Sequence, residues 1–579
     1  MTMLTKWGAA LDREHPLPEY PRPQLRRESF YNLNGVWDYA VTPSGDEPEV
    51  WDGEIVVPFS PEAPLSGAAR GPAKDEYLHY RRGFTLPEGF QKSRVLLHFG
   101  AVDQIAEVFI NGVSAAKHSG GYWPFSADIT SLLREGENIL RVTVRDNADD
   151  PTFAYGKQRY KRGGMWYTAQ SGIWQTVWLE SVPEVYVKSL RITPEFDEAR
   201  VRIELETALE SSAAITCDVR AADGSFVAGS WARGGVCVVP LPGFRAWTPD
   251  DPYLYTLDIT CGEDRVESYF AMRKFSYVEL DGHKVFGLNN APLFHNGLLD
   301  QGYYPDGLLT PPSDEAMVND IETMKRCGFN MLRKHIKIEP LRWYYHCDRL
   351  GMIVWQDMVS GGQPYSFLHV SALPTLGKVD LPDQDAKPYG RSGVLSRARF
   401  RREMADTVRL LYNCPCIALW TVFNEGWGQF DALDMANELK KLDPTRFIDH
   451  ASGWQDQGYE EMKSRHIYFR PVKLKNDGRA LALTEYGGYI LAVDGHRWTD
   501  KMFGYRICRD SAALAHDYEK LMLGQVLPHI RKEGLTAAVY TQITDVEEEL
   551  NGLMTYDREV LKIPEETLRE INAALRFDA

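Results

Sequence analysis

The chain has 579 residues, 44% of them hydrophobic, with 65 Lys+Arg against 81 Asp+Glu and a formal net charge of -16. At roughly 150 residues per domain this length predicts about three or four domains, which excludes a single small binding module. The acidic balance, with no long Lys/Arg run, excludes a nucleic-acid surface, because phosphate binding needs clustered positive charge; no stretch of about 18 apolar residues exists to span a membrane.

The amino-terminal stretch MTMLTKWGAALDREHPLPEYPRPQLRRESF lacks the apolar run and small-residue cleavage site of a secretory signal, so a cytoplasmic location is expected. The eight cysteines are scattered, and only Cys414 and Cys416 lie close, with Pro415 between them. Neither a disulfide framework nor a metal clip is expected from that usage.

From about residue 30 to 182 the chain reads as short strands parted by turn residues, among them GVWDYAV, SRVLLHFG, IAEVFING, NILRVTVRD and WQTVWLES. Their period-two alternation predicts an antiparallel sandwich. The next stretch, KSLRITPEF, ARVRIELET, AAITCDVRA and YLYTLDITC within 184–276, has the strand density and length of an immunoglobulin-like β-sandwich, without the Cys…Trp…Cys signature of antibody domains.

Beyond 277 the pattern changes. Eight apolar runs (PLFHNGLLD, FNMLRKHI, MIVWQDM, IALWTVFNE, RFIDHASGW, RHIYFRP, ALALTEYGG, AAVYTQITD) now alternate with helical stretches such as DEAMVNDIETMKRCG and LSRARFRREMADTVRLLYN. Eight strands and helices over this length predict a (β/α)8 TIM barrel, whose reactive groups sit at the carboxyl ends of its strands. The long Pro/Gly-rich segment 359–395 is expected at the rim of that mouth.

Two carboxylates stand where chemistry is expected. LWTVFNEGWGQF places Asn424 and Glu425 at the end of the fourth strand, and ALALTEYGGY places Glu485 at the end of the seventh. Burial at such a position opposes the charge and raises a carboxyl pKa. Strands four and seven face each other across an eight-stranded ring, so the pair can flank a sugar; retaining glycosidases need carboxyl groups about 5 to 5.5 Å apart. A lone Glu of this kind is as readily a rim residue paired with Lys or Arg, but two together point to the chemistry.

These motifs resemble glycoside hydrolase family 2 over about residues 30–560. The barrel part carries TVFNEGWGQ, LTEYGG, NMLRKHIKIEP and LGMIVWQD; the amino-terminal part carries LNGVWDY, YRRGF, VFING and SGIWQTVWLE; the middle part carries WTPDDPYLY and FAMRKF. The resemblance implies a jelly-roll sugar-binding domain (1–183), an immunoglobulin-like β-sandwich (184–276) and a catalytic barrel (277–579). It implies Glu425 as general acid/base, Glu485 as nucleophile, Asn424 as partner of the sugar 2-hydroxyl, and Tyr468 as a hydroxyl donor that holds the nucleophile and keeps its pKa low.

Other mouth residues keep two readings. Asp300 ends the first strand, Arg333 and His335 lie in the second, and Asp357 ends the third. Asp357 is either a sugar-hydroxyl partner or the anion of a salt bridge to Arg333 or Lys334, and His335 either contacts substrate or is structural. Trp454, at the end of the fifth strand, is either a sugar-stacking platform or rim packing. Lys334 and Lys337 meet a substrate carboxylate or face solvent.

Departures from the family narrow the reading. The second strand gives Arg333-Lys334-His335-Ile336-Lys337-Ile338 in place of Arg-x-Ser-His-Tyr-Pro; no Asn-x-Lys, the element with which family β-glucuronidases grip a uronic-acid carboxylate, follows the last strand, so a glucuronidase is not favoured; and Gln542 and Ile543 stand where many relatives carry Trp, so the floor of the sugar site is expected to be open or differently shaped. The expectation is a retaining exo-β-glycosidase acting on a small-molecule or oligosaccharide β-glycoside, with galactose the family default. A uronic acid, pentose or furanose glycosidase, a transglycosidase and a non-catalytic carbohydrate-binding relative remain alternatives. No cofactor and no metal are expected, and relatives commonly associate, which leaves a homo-oligomer open.

Overall fold

The computed structural model describes residues 3–209, 214–377 and 380–577. Its first part is a sandwich of two antiparallel sheets. One has four strands, in the order Phe30–Asn32, Val177–Val182, Arg94–Phe99, Phe125–Asp128; the other has six, in the order Gly53–Val57, Gly35–Thr42, Tyr77–Thr85, Glu137–Arg145, Ile105–Ile110, Val113–Ser119. The alternation read in the sequence is the burial pattern of the strands: Ile105–Ile110 buries every second side chain, because successive side chains of a strand point to opposite faces. Trp37, Tyr80, Leu97, Val108, Val142 and Leu179 fill the space between the sheets.

The second part is a seven-stranded sandwich. Three strands (Val187–Glu195, Arg200–Thr207, Val236–Pro240) face four (Phe226–Ala232, Ile215–Arg220, Tyr255–Cys261, Asp264–Phe270). Cys217, Cys237 and Cys261 pack in its core beside Val201, Ile203 and Leu257. All eight cysteines are free and buried, behaving as small hydrophobes. Arg27 ties the two sandwiches together, its guanidinium donating to Asp264 at 2.9 Å and to Glu180 at 3.1 Å.

The third part is an eight-stranded parallel barrel, nearly closed. Its strands are β1 (His295–Asp300), β2 (Met331–Lys334), β3 (Ile353–Asp357), β4 (Ile417–Thr421), β5 (Phe447–Asp449), β6 (Met462–Ile467), β7 (Ala480–Gly487) and β8 (Leu535–Thr541). Hydrogen-bonded pairing runs unbroken from β5 back through β1 to β8, β7 and β6. The one seam, between β5 and β6, is bridged by the Ser464 hydroxyl, which donates to Asp449 Oδ1 at 2.9 Å and to the Ala451 carbonyl at 3.0 Å. A hairpin, Phe275–Leu280 and His283–Leu288, plugs the amino-terminal end: Phe286 stacks on Phe447 at 4.2 Å and meets the edge of Trp355 at 5.9 Å.

Helices follow β1 (α1, Asp314–Arg326), β2 (α2, Leu341–Leu350), β3 (α3, Val394–Leu411), β4 (α4, Ala432–Leu442), β7 (α5, Ser511–Leu521, and α6, Leu527–Glu533) and β8 (α7, Glu565–Ala573). Among the described residues none follows β5 or β6, where strict alternation predicts one. Both connections are short, about a dozen residues each, and return directly to the sheet. The segment after β3 does reach the mouth. It contains a π-helical stretch, Leu368–Gly377, whose Val370 carbonyl accepts from Trp454 Nε1 at 2.7 Å.

Candidate active site

The chain leaves β4 still paired to the loop after β5: Glu425 N donates to Ser452 O at 2.9 Å and Ser452 N to Phe423 O at 2.8 Å. Glu425 then takes a left-handed conformation, φ 54°, uncommon for a residue with a Cβ. Gly426 and Gly428 continue with φ 73° and 68°. Gly428 permits this turn because a Cβ there would meet Gly361 O at 2.9 Å. The turn directs the Glu425 side chain into the mouth. Across the barrel the ladder between β7 and β8 slips between Leu483 and Tyr486, and that between β6 and β7 slips between Arg465 and His466. Such bulges re-aim side chains, and here they set Glu485 and His466 side by side.

Glu425, His466 and Glu485 converge, one oxygen or nitrogen of each lying within 4.8 Å of the others. His466 Nδ1 is 2.8 Å from Glu425 Oε1 and 3.5 Å from Glu485 Oε2, and its Nε2 is 3.2 Å from Ser452 Oγ. Tyr468 OH donates to Glu485 Oε2 at 2.6 Å and lies 2.9 Å from Thr541 Oγ1. The fully buried Arg333 is the hub of the floor. It donates to both oxygens of Asp357 at 3.0 and 3.1 Å, to Glu485 Oε1 at 3.2 Å, to Thr484 O at 3.1 Å and to Asn424 Oδ1 at 2.8 Å.

Burial pushes the Glu425 carboxyl up to about 7, against the pull of the Lys157 and Arg333 cations. Burial also raises Glu485, and neighbouring Glu425 adds to it, while His466, Arg333 and the Tyr468 hydrogen bond pull it back. The low pKa expected from the Tyr468 hydroxyl is therefore corrected: desolvation outweighs that one bond. Burial holds His466 down at about 4, so the imidazole between the carboxyls is neutral near pH 7. Three ligand-type atoms this close also suit a metal ion, but both oxygens of Glu485 already accept hydrogen bonds and the Arg333 cation stands beside them, an unfavourable field for a further cation.

The remaining residues anticipated from the sequence all lie at this mouth, in unequal positions. Asn424 presents its amide with the oxygen fixed by Arg333. Asp357 is 1% exposed and held by Arg333 and by His335 Nδ1 at 2.8 Å, so the salt-bridge reading describes it. Burial takes His335 down to about 3 and leaves it a neutral partner of Asp357. Asp300 accepts from Lys334 Nζ at 2.7 Å and from Gly302 N at 2.9 Å. Trp454 donates its Nε1 to Glu425 O at 2.9 Å as well as to Val370 O, so its ring braces the Glu425 backbone against the rim.

Neither reading of the lysines holds. Lys334 and Lys337 are buried and occupied, both donating to Glu339 Oε1 and Lys337 also to the Leu309 carbonyl. Of the two expectations for the floor at Gln542, open or differently shaped, the open one does not hold: this buried side chain accepts from Gln301 Nε2 at 2.9 Å and donates to Asn551 Oδ1 at 2.8 Å and to Glu549 Oε2 at 3.3 Å.

Three participants were not anticipated. His466 lies two residues before Tyr468, and its place beside Glu485 is set by the bulge between Arg465 and His466. Lys157 and Trp166 come from the first sandwich, on a loop that crosses to the barrel. There Tyr155 N and Gly156 N donate to Ser360 O at 3.1 and 2.9 Å, and Trp166 meets Trp427 edge to face at 5.1 Å. Tyr167 of the same loop donates to Glu549, just past β8.

Comparison with known families agrees with this architecture in all three parts. Residues 64–183 match "Glycosyl hydrolases family 2, sugar binding domain", residues 185–273 match "Glycosyl hydrolases family 2", and residues 312–476 match "Glycosyl hydrolases family 2, TIM barrel domain". The chain belongs to glycoside hydrolase family 2. Within the family it is 24% identical to a β-galactosidase of Thermoanaerobacter pseudethanolicus over 387 residues, covering 63% of this chain and 47% of that protein. It is 22% identical to human β-glucuronidase over 508 residues, covering 78% of this chain and 73% of that protein. The chain thus spans about half the length of the β-galactosidase. In fold it matches the solved structure of a family 2 β-galacturonidase from Eisenbergiella tayi with a TM-score of 0.72 at 18% identity, covering 96% and 99% of the two chains. Among the described residues no helix is long and apolar enough to cross a membrane.

Proposed function

We propose that the protein is a retaining exo-β-glycosidase. The observation that carries this reading is the approach of the β4 and β7 carboxyls, with oxygens within 4.8 Å. Inverting enzymes hold the two groups about 6.5 to 9.5 Å apart to admit a water, and retaining ones about 5 to 5.5 Å.

In this reading a Glu485 oxygen attacks the anomeric carbon while Glu425 gives its proton to the leaving oxygen. The bond to the aglycone breaks as the ester to Glu485 forms. Glu425, now anionic, takes a proton from water, whose oxygen attacks the same carbon and releases Glu485. The raised pKa of Glu425 supplies the proton near neutrality, and two donors, Tyr468 and Arg333, stabilise the charged form of Glu485. Asn424, oriented by Arg333, keeps its NH2 group for the sugar 2-hydroxyl.

Named relatives include β-galactosidases, β-glucuronidases and a β-galacturonidase, so kinship supports a β-glycoside and leaves the sugar open. The test is hydrolysis of a panel of aryl α- and β-glycosides by the protein beside its Glu485→Gln variant, with the first-formed anomer read by NMR. Expected is turnover of a β-glycoside with retained configuration, lost in the variant. An inverted product, or silence across the panel, would overturn the reading.

A further inference from the structure

We propose that Lys157, delivered into the barrel mouth by the first sandwich domain, grips a carboxylate on the sugar, so that the substrate is a β-linked uronide. This deepens the glycosidase reading and rests on it.

The lysine is held by a firmly docked backbone. Ala154 pairs with Gly361, and Tyr155 N and Gly156 N donate to Ser360 O. Gln158 Nε2 donates to Asp103 at 3.0 Å and to Tyr122 OH at 3.1 Å, and Lys157 O accepts from Tyr167 N at 3.0 Å. The ammonium stands 5.8 Å over the ring of Trp166, which itself packs on Trp427, two residues past Glu425.

Its charge acts on Glu425, on Glu549 past β8 and on His335 past β2. Those groups belong to three separate sectors of the ring, and the Gly156 backbone beside the lysine lies against Ile336 O past β2. Among the described residues, however, Lys157 Nζ forms no ion pair and no hydrogen bond. The contrast with the other mouth cations is sharp. Arg333, Lys334 and Lys337 are each occupied by protein carboxylates, whereas Lys157 keeps its ammonium for a ligand.

A half-buried ammonium without a partner loses solvation, and a neutral glycone does not restore it. A carboxylate does. In a hexuronide that carboxylate is joined to the anomeric carbon through only C5 and the ring oxygen, which puts it close to the Glu425 and Glu485 that act on that carbon. A loop from another domain thereby takes on uronate recognition in a chain with no Asn-x-Lys after its last strand.

The experiment compares kcat/KM for 4-nitrophenyl β-D-glucuronide and β-D-galacturonide with the matched glucoside and galactoside, in the wild type, Lys157→Met and Lys157→Arg. Direct binding of free D-glucuronate and D-galacturonate to the Glu485→Gln protein, with and without Lys157→Met, is measured by calorimetry. Expected is a wild-type preference for one uronide and a fall in the uronide-to-neutral ratio by ~30-fold or more in Lys157→Met, the scale of losing one partner of a desolvated charge pair. Lys157→Arg is expected to restore part of the ratio, and uronate binding is expected to vanish with the methionine. A fall shared equally by neutral and acidic substrates would reduce Lys157 to tuning Glu425 and overturn the proposal. Wild-type preference for a neutral glycoside, lost in Glu485→Gln, would also overturn it while leaving the glycosidase reading intact. Silence on all substrates together with no uronate binding would remove both.

Discussion

On the β6–β7 side of the mouth, both oxygens of Glu485 accept hydrogen bonds, one from Tyr468 OH and one from Arg333. On the β4–β5 side, Glu425 sits in a left-handed turn with one oxygen against a neutral imidazole and its side chain 24% exposed. The first arrangement suits a group that stays anionic and fixed, and the second suits one that gains and loses a proton. A single buried pocket thus separates two chemically identical side chains by the donors it offers them.

The sharpest way to break this contrast is to remove each carboxylate in turn. Glu485→Gln is expected to lose more than ~10⁴-fold in kcat on every substrate, since no covalent intermediate can form. Glu425→Gln is expected to lose comparably on glycosides with poor leaving groups and far less on 4-nitrophenyl or 2,4-dinitrophenyl glycosides, whose oxygens leave without a proton. Equal losses on both substrate classes in the Glu425 variant would end the assignment of different roles.

A smaller effect tests the donors themselves. Tyr468→Phe leaves the ring stacked on Tyr505, at 3.8 Å, and removes only the hydroxyl on Glu485. Loss of one well-placed donor to a reacting group costs roughly 10²-fold in kcat. The acid limb of the kcat/KM profile should also move to higher pH in this variant, because a bond that favoured the charged carboxylate is gone. A loss with no movement of that limb would assign Tyr468 to positioning instead of charge.

Much of this was legible in the residues and some was not, for physical reasons. Apolar runs ending in Asn424-Glu425 and Thr484-Glu485 announce buried strands with a charge at the carboxyl end, a pattern that packing alone does not produce, since burying a carboxylate costs solvation. The place of His466 depends on a bulge between Arg465 and His466, which no alternation rule contains. Lys157 lies in an irregular loop whose course is set by contacts to Ser360, Asp103 and Glu549, all distant in sequence. Lys334 and Lys337 look solvent-facing until Glu339 is seen to turn back beneath them.

The pH profile follows from the same two environments. Glu425 must carry its proton to act as acid, so activity is expected to fall as pH rises through about 7, its raised value. Glu485 must be charged to attack, so activity is expected to fall as pH drops through its own raised value. The result is a bell whose two limbs belong to the coupled pair. Charges facing Glu425 come from Lys157, Arg333 and Glu485, with His466 neutral. A kcat/KM profile flat from pH 6 to 9 would contradict the burial of Glu425.

The smallest effect concerns stability. A carboxyl whose pKa is higher in the folded chain than in the unfolded one binds its proton more tightly when folded. It therefore favours the folded state at low pH, and that contribution is lost as pH rises from the ordinary carboxylate range through about 7. Ionised Glu425 is then a strained charge, relieved only in part by Lys157. Glu425→Gln removes that charge and keeps the shape, so its Tm is expected to exceed that of the wild type by a few degrees at pH 8. The gap should narrow toward pH 5, where Glu425 is already neutral. The same scans on Glu485→Gln sharpen the contrast: its carboxyl is raised too, but Arg333 and the Tyr468 hydrogen bond pull it back, so the gain in Tm at pH 8 is expected to be smaller than that of Glu425→Gln. Gains of equal size in both variants would mean that the pocket treats its two carboxylates alike.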